Sequence, residues 1–473
     1  MPELSHQKQV LSLIGPDLRR MLEEAKDPEQ ARELLEDFHP EDLADLLHEL
    51  ENEDAAEILR LLPEDLAAPI FERLEEGTQS EIIELLGPKD AADIAAEMAP
   101  DERADLLEQL PEDVGDKLLE QLEQVDPEAA AETEHLLRFA EGSAGAIMTT
   151  EYLAVGPERT VLEAIALIRE KGAEAETIHY LFVTNDNKRL EGVLSLRDVL
   201  LAEPVQRISD VMTTRVITVG PETDQEEVAR QMSKYDIVAI PVVDKYQTMV
   251  GVITADDVMD VLTEEGTEDA QKLGGMDALD ASYWETDFLT FIRKRGSWLV
   301  VLFIEEFFTG TALRHYDEVL SAVGKLAFYV PLLISTGGNS GSQSATLIIR
   351  GMAVGEIKLS DWWRIGVREL GMGLVLGALL ATVGVVRVLM WHDGIRIAAV
   401  IAITIIGIVT MGCVVGSMLP LLMRRLGFDP ATSSTPFIAS LVDVLGIIIY
   451  FNVAKLLLAN VIAEAVRQKA MGH

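Results

Sequence analysis

Apolar positions follow two different rules along this chain, and the change falls near residue 286. From residue 38 to about 122 a short phrase recurs: HPEDLADLLHEL, LPEDLAAPIFERL, GPKDAADIAAEM, APDERADLLEQL and LPEDVGDKLLEQL. Each opens on a proline followed by acids and continues with apolar residues at helical spacing, which suits a helix start because proline fits the first turn and acids complement its positive end. Units this short cannot bury a face alone, so the pattern predicts a stacked helical array. Residues 143 to about 262 hold an internal duplication: AIMTTEYLAVGPERTVLEAIALIRE matches DVMTTRVITVGPETDQEEVARQMSK, and LEGVLSLRDVLL matches MVGVITADDVMD. Each copy reads strand, Gly-Pro, helix, apolar run, turn, strand and helix, a tandem α/β pair. A helix from about 263 to 273 and the turn signal GGMDALD then lead onward.

Beyond that point the apolar runs lengthen to the ~20 residues a bilayer requires. They lie near 298–313, 319–349, 363–390, 397–422 and 431–463, predicting five spans, the second broken by Pro331 and by TGGNSGSQS. Polar, glycine-rich backbone at membrane depth has to line a wet cavity or pack closely against protein. Arg293, Lys294, Arg295, Arg350, Lys358, Arg364, Arg368, Arg424 and Arg425 fall in one set of loops, against Arg314 and Arg396 in the other. The positive-inside rule therefore places the region before the spans in the cytoplasm and, with five spans, the C-terminus outside. The opening MPELSHQKQVLSLIGPDLRR has no apolar core of a signal peptide.

Charge sharpens the division. Of 39 Lys+Arg and 80 Asp+Glu, residues 286–473 carry 16 and 12, a balance of +4, which leaves 23 and 68, a balance of −45, for residues 1–285. So acidic a region repels nucleic acid and anionic lipid, and bound divalent cations would relieve its self-repulsion. The single cysteine, Cys413, excludes an internal disulfide and a multi-cysteine zinc site. Neither an HExxH phrase nor a GxxxxGK[ST] phrase occurs, so no metalloprotease or ATP-hydrolysing site is expected.

The candidate chemistry is carried by acids. Asp443 lies inside the apolar run PFIASLVDVLGIIIYFNVAKLLLANVIA, where a charge costs about 2.5 to 3.5 kcal/mol and survives only facing a bundle interior or water. It is either protonated or paired with Lys455 as structural glue, or a ligand for a passing cation. One such aspartate in an odd number of spans suggests a symmetric dimer, two copies meeting on an axis. Glu305 and Glu306 lie in the first span; either Glu306 adds an inward acid near the pathway or that span sits askew. Asp101 and Asp105 stand one helical turn apart, Asp257 and Asp260, and Glu265 and Glu268, stand i,i+3, and Asp224, Glu226, Asp236 and Asp269 complete an acidic set that is either solvated surface or hard-oxygen ligation for Mg²⁺ or Ca²⁺.

The duplicated segment resembles a pair of CBS domains. Both copies keep a Ser/Thr-x-x-Asp phrase, Ser195 with Asp198 and Thr254 with Asp257, which is equally a helix cap; the resemblance implies possible ATP binding through these residues. The segments FYVPLLISTGGNSGSQSATLIIRGMAVGEI and STPFIASLVDVLGIIIYF, with the acidic array, the pair and the spans, resemble the MgtE family of magnesium channels. That resemblance implies a multi-domain membrane protein: an all-α acidic N domain (1–140), tandem CBS domains (141–262), a connecting or plug helix (263–287) and a five-helix transmembrane domain (288–473). It implies a homodimeric pore in the cell (inner) membrane, with Asp443 the main ligand for hydrated Mg²⁺. A cytosolic sensor would close it through Mg²⁺ at Asp101, Asp105, Asp224, Glu226, Asp236, Asp257, Asp260, Glu265, Glu268, Asp269 and, after the fourth span, Asp429. The alternatives are a broader transporter of Co²⁺, Mn²⁺ or Ca²⁺, and a membrane-anchored adenine-nucleotide sensor without flux.

Overall fold

The computed structural model describes residues 38–279, 283, 284 and 286–470, together with Arg32 and Leu35; the N-terminal stretch read for a signal peptide lies outside them. The chain forms two compact units, Met1–Thr263 and Glu264–His473.

The first unit opens with eight described helices: α1 (Pro40–His48), α2 (Asn52–Leu61), α3 (Glu64–Phe71), α4 (Glu76–Leu86), α5 (Pro88–Ala96), α6 (Pro100–Gln109), α7 (Glu112–Val125) and α8 (Pro127–Leu136). The recurrent proline occupies the first turn of α1, α5 and α6 and the cap before α3 and α7, as its missing N–H allows. α1 to α7 pack largely on the next helix but one, burying Leu47, Ile58, Phe71, Ile82, Leu106 and Leu122 in one continuous core.

The duplicated segment follows as β1 (Ala154–Val155), α9 (Val161–Lys171), β2 (Tyr180–Thr184), β3 (Leu190–Ser195), α10 (Leu196–Leu201), α11 (Ile208–Val211), α12 (Gln225–Tyr235), β4 (Ala239–Val243) and β5 (Met249–Thr254). β1 pairs parallel with β2, β2 antiparallel with β3, and β4 antiparallel with β5. Both hairpins shift register at the same place, between Val183 and Thr184 and between Val242 and Val243, so the duplication extends to backbone irregularity. The copies also interlock: Met212 packs where a side chain at Gly192 would be, and Met148 where one at Gly251 would be. Ala104 of α6 and Leu136 of α8 share a core with Val228, Met232, Ile253 and Val258 of the second copy, which brings the acids of α6 to that copy.

α13 (Ala255–Leu273) is one helix, so the expected connecting helix at 263 is the continuation of the last helix of the second copy. The second unit then contains α14 (Phe288–His315), α15 (Asp317–Ala322), α16 (Val330–Ala353), α17 (Trp362–Met390), α18 (Ile395–Arg425), α19 (Thr435–Leu457) and α20 (Ala459–Ala470). Among the described residues, four helices, Phe288–His315, Leu359–Met390, Ile395–Arg425 and Thr435–Leu457, are long and apolar enough to cross a membrane. Two expectations are corrected. The run 319–349 is not one broken span: its start forms α15 and a 3₁₀ turn, Gly324–Tyr329, after which α16 runs unbroken through TGGNSGSQS. Pro331 falls in the first turn of α16, where no intrahelical bond is lost. The run 431–463 is likewise divided, because Ser434 caps α19 and the helix ends before α20 begins at Ala459.

Candidate functional site

Asp443 lies two turns into α19. Its neighbours Ile438 and Val442 are fully buried against α16, where a Cβ on Gly341 would stand 3.1 Å and 3.3 Å from them. A side chain at Gly416 of α18 would overlap the Gly341 carbonyl, and one at Gly412 would stand 2.8 Å from the Gly337 carbonyl oxygen. The glycines of TGGNSGSQS therefore serve close packing of α16 on α18 and α19. Asp443, beside the packed face, is half-buried; its Oδ1 is buried without a hydrogen-bond partner, and a Cβ on Gly338 would come within 3.6 Å of it. Pairing with Lys455 does not occur: that ammonium lies 4.7 Å from the centroid of the Tyr316 ring, toward the other end of α19.

The inward acid of α14 is Glu305, not Glu306. Trp298, Leu302, Glu305 and Thr309 form the covered stripe of this helix at three- and four-residue spacing, which leaves Glu306 exposed. Oε2 of Glu305 is buried without a partner, and both glutamates are close enough to act electrostatically on Asp443. A further intramembrane acid was missed from the sequence because the third run was read for its glycines. Glu369 is buried and accepts a hydrogen bond from Ser344 Oγ at 2.7 Å.

At the C-terminal end of α13 the second unit gathers Glu265, Glu268, Asp269 and Asp429. Lys272 Nζ lies 2.6 Å from Asp429 Oδ2 and also pairs with Glu268. Burial raises the Asp269 carboxyl above its ordinary range, and the charges of Asp429 and Glu265 add to the shift.

In the first unit, Asp101 is buried and Asp105 half-buried on α6; Asp257 of α13 acts electrostatically on Asp101, and Asp105, Asp257 and Asp260 act together on Glu102 between them. Asp101 Oδ1 has no partner. Burial pushes its carboxyl well up, and the negative charges of Asp257, Glu102 and Glu176 push further. Glu102, overlooked because spacing favoured Asp101 and Asp105, is pushed up to about 8 by burial and then by Glu72, Asp105, Asp257 and Asp260. The adjacent Arg103 is turned to other partners, donating to Thr133 Oγ1 at 2.7 Å and the Met98 carbonyl at 3.1 Å and pairing with Glu132 at 3.4 Å, so that its charge reaches Asp101 only at longer range. Asp224, Glu226 and Asp236 do not join this group or form one site. Asp224 caps α12, accepting from the Glu226 N–H at 3.0 Å, whereas Asp236 closes its far end with φ 53°, roughly 18 Å along the axis at 1.5 Å per residue. Among the described residues, no three Asp, Glu, His or Cys side chains stand in a ready-made metal shell.

The two Ser/Thr-x-x-Asp phrases diverge. Ser195 caps α10 by accepting from the Asp198 N–H at 3.1 Å while its hydroxyl donates to Asp198 Oδ2 at 2.6 Å, and Ser195 also lines a cavity of about 560 Å³ with His179, Tyr180, Leu196, Arg197 and Val238. Thr254 is buried, its hydroxyl donating to Asp257 Oδ2 at 2.8 Å on the side of the acid group. Arg197, His179 and Tyr180 were not singled out from sequence, since only the folded pair shows that they share a cavity with Ser195.

Comparison with known proteins accords with these features. The MgtE divalent cation transporter model matches residues 330–453, the MgtE intracellular N domain matches 3–65 and 38–142, and the CBS domain matches 144–204 and 208–264. Over 337 residues the chain is 45% identical to the magnesium transporter MgtE of Thermus thermophilus, covering 71% of this chain and 75% of that protein. It is 35% identical over 329 residues to the magnesium transporter MgtE of Enterococcus faecalis, covering 70% and 72%. A crystal structure of the soluble part of a magnesium transporter superposes with a TM-score of 0.50 at 32% identity, covering 54% of this chain and 99% of that one. With its membrane segment, its acidic array and its α/β pair all matched, this chain belongs to the MgtE family of divalent cation transporters.

Proposed function

We propose that the protein is a Mg²⁺-selective channel, multi-pass in the cell membrane, that admits Mg²⁺ down its electrochemical gradient. The observation that carries this is the buried, unpartnered Oδ1 of Asp443 in an otherwise apolar span. Mg²⁺ gives up its water reluctantly, so a carboxylate reaching it through retained water is less costly than a dry cage. In this reading the active form is a homodimer embedded in lipid, α16 supplies the fifth span, and two Asp443 carboxylates share the ion on the axis. The cytosolic region is acidic, and the C-terminus is outside. Drive comes from the membrane potential, about 2.3 kcal/mol per charge per 100 mV.

Closure follows from inner Mg²⁺ binding to two groups of acids: Asp101, Asp105, Asp257 and Asp260, with Glu102, in the first unit, and Glu265, Glu268, Asp269 and Asp429 in the second. Asp224, Glu226 and Asp236 serve as separate single-carboxylate contacts. Each ion offsets the repulsion of an acidic surface and shifts the balance toward the closed form. The cavity at Ser195 and Arg197 suits a nucleotide such as ATP as a modulator: Arg offers a fork to phosphate and the aromatic rings a face to a base. The all-oxygen ligand set suits hard ions, Mg²⁺, Ca²⁺ and Mn²⁺ among them, over soft ones.

Flux of Mg²⁺ into liposomes tests the channel, with Co²⁺, Mn²⁺ and Ca²⁺ as competitors. Equal block by all three would leave a general divalent pathway in its place. Limited proteolysis with and without millimolar Mg²⁺ tests closure, which requires the cytosolic region to become resistant.

A further inference from the structure

The end of α13 is tied to the membrane helices by polar contacts of defined geometry. Thr435 Oγ1 of α19 donates to the Leu273 carbonyl at 2.9 Å, and beside it Trp298 Nε1 of α14 donates to Ser434 Oγ at 3.1 Å, which holds α14 to the same turn. Both contacts lie at the first turn of α19, two turns before Asp443. Here Lys272 reaches two carboxylates at once, Glu268 one turn earlier on its own helix and Asp429 on the loop before α19. These are two of the acids to which closure by inner Mg²⁺ was assigned above, and the inference rests on that reading.

We propose that Lys272 is a built-in rival of the regulatory cation: its ammonium occupies the space between Glu268 and Asp429 and has to leave before a divalent ion can bridge them. A lysine suits this task because its charge is compact and its stem flexible, so it withdraws without disturbing the helix. The site is open enough for the exchange, with side-chain exposures of 22% for Lys272, 39% for Glu268 and 36% for Asp429. An ammonium carries one charge against two for the metal, so the metal prevails once its concentration suffices. The lysine sets that threshold and holds the end of α13 in place below it. A lysine in the last turn of a helix also complements the helix dipole. That role alone would leave the Mg²⁺ threshold unchanged.

The test uses the full-length protein in liposomes, reading the inner Mg²⁺ concentration at half-closure. Lys272→Met is expected to lower it roughly threefold or more, as loss of a competing partly exposed ion pair implies, while Lys272→Arg keeps or raises it. An unchanged or higher threshold in Lys272→Met overturns the proposal. Because that variant can fail to fold, the wild-type chain is also labelled with an amine-reactive succinimidyl ester and mapped by mass spectrometry. Labelling of Lys272 is expected to rise on adding Mg²⁺, and a fall or no change overturns the displacement. Wild-type flux indifferent to inner Mg²⁺ would instead remove the gating reading, and Lys272 labelling would still report whether the ammonium is displaced.

Discussion

Asp443 and Asp101 are both carboxylates with a buried oxygen that lacks a partner, yet their surroundings differ in kind. Asp443 stands beside Val442, Ala439 and the bare backbone of Gly338 in an apolar helix, and the charges that act on it come from Glu305 and Glu306 of α14. Asp101 stands among Glu102, Asp257 and Glu176, whose charges add to the effect of burial. One acid in an apolar helix asks for a passing charge. In the proposed function, several acids on facing helices exchange protons for cations, and that exchange changes how tightly the helices are held. On the proposed function, the same side chain serves permeation in one place and sensing in the other.

The comparison breaks first at Asp443. Asp443→Ala is expected to lower Mg²⁺ uptake into liposomes by at least about a hundredfold, since an intramembrane carboxylate in a pathway has no substitute. Undiminished uptake would remove Asp443 from the pathway. Second, Gly416→Ala adds a Cβ that overlaps the Gly341 carbonyl, so overpacking of about 1 to 3 kcal/mol is expected. Thermal unfolding in detergent checks it, against Gly371→Ala, where a Cβ meets nothing within 4 Å. Third, Asp101→Asn combined with Asp257→Asn should raise the Mg²⁺ needed for protease resistance by about tenfold while uptake at low inner Mg²⁺ stays intact. A parallel loss of uptake would mean that the two acid settings are not separate.

The smallest effect concerns protons. With divalent ions chelated, Glu102 is pushed from 4.5 to about 8 in the folded chain, so between those values the folded state holds a proton that the unfolded state has released. Stability from this group is complete below pH 4.5 and is lost as pH rises toward 8, by at most about 1.4 kcal/mol per pH unit. Hydrogen exchange of α6 in chelator should therefore quicken from pH 6 to pH 8, beyond its intrinsic rise. Saturating Mg²⁺ should abolish the extra dependence, because a bound cation requires the carboxylates already ionised.

Much of the architecture was legible because it rests on local rules. The Pro-acid phrases mark α1, α3, α5, α6 and α7, and the duplicated copies predict paired hairpins that share even their register shift. The acid at 443 stood out because the cost of a charge in an apolar run is written in one dimension. Where the reading went astray, the answer depended on a neighbour. TGGNSGSQS looked like a helix breaker because glycine and serine weaken an isolated helix, yet α18 and α19 fill the space beside it. Glu306 rather than Glu305 was expected to face inward, and only the rotation of α14 distinguishes adjacent residues.

By itself the sequence determined the kinds of building block, the division into acidic and apolar parts, and which residue types could serve a hard cation. Periodicity and charge act through near neighbours, so they survive in a string of letters. Tertiary structure alone decided that Glu102 joins Asp101 and Asp257, that Asp236 stands far from Asp224, and that Lys272 spans 157 residues to meet Asp429. Those outcomes depend on how separate helices are rotated and docked, a consequence of packing whole faces together that no local pattern encodes.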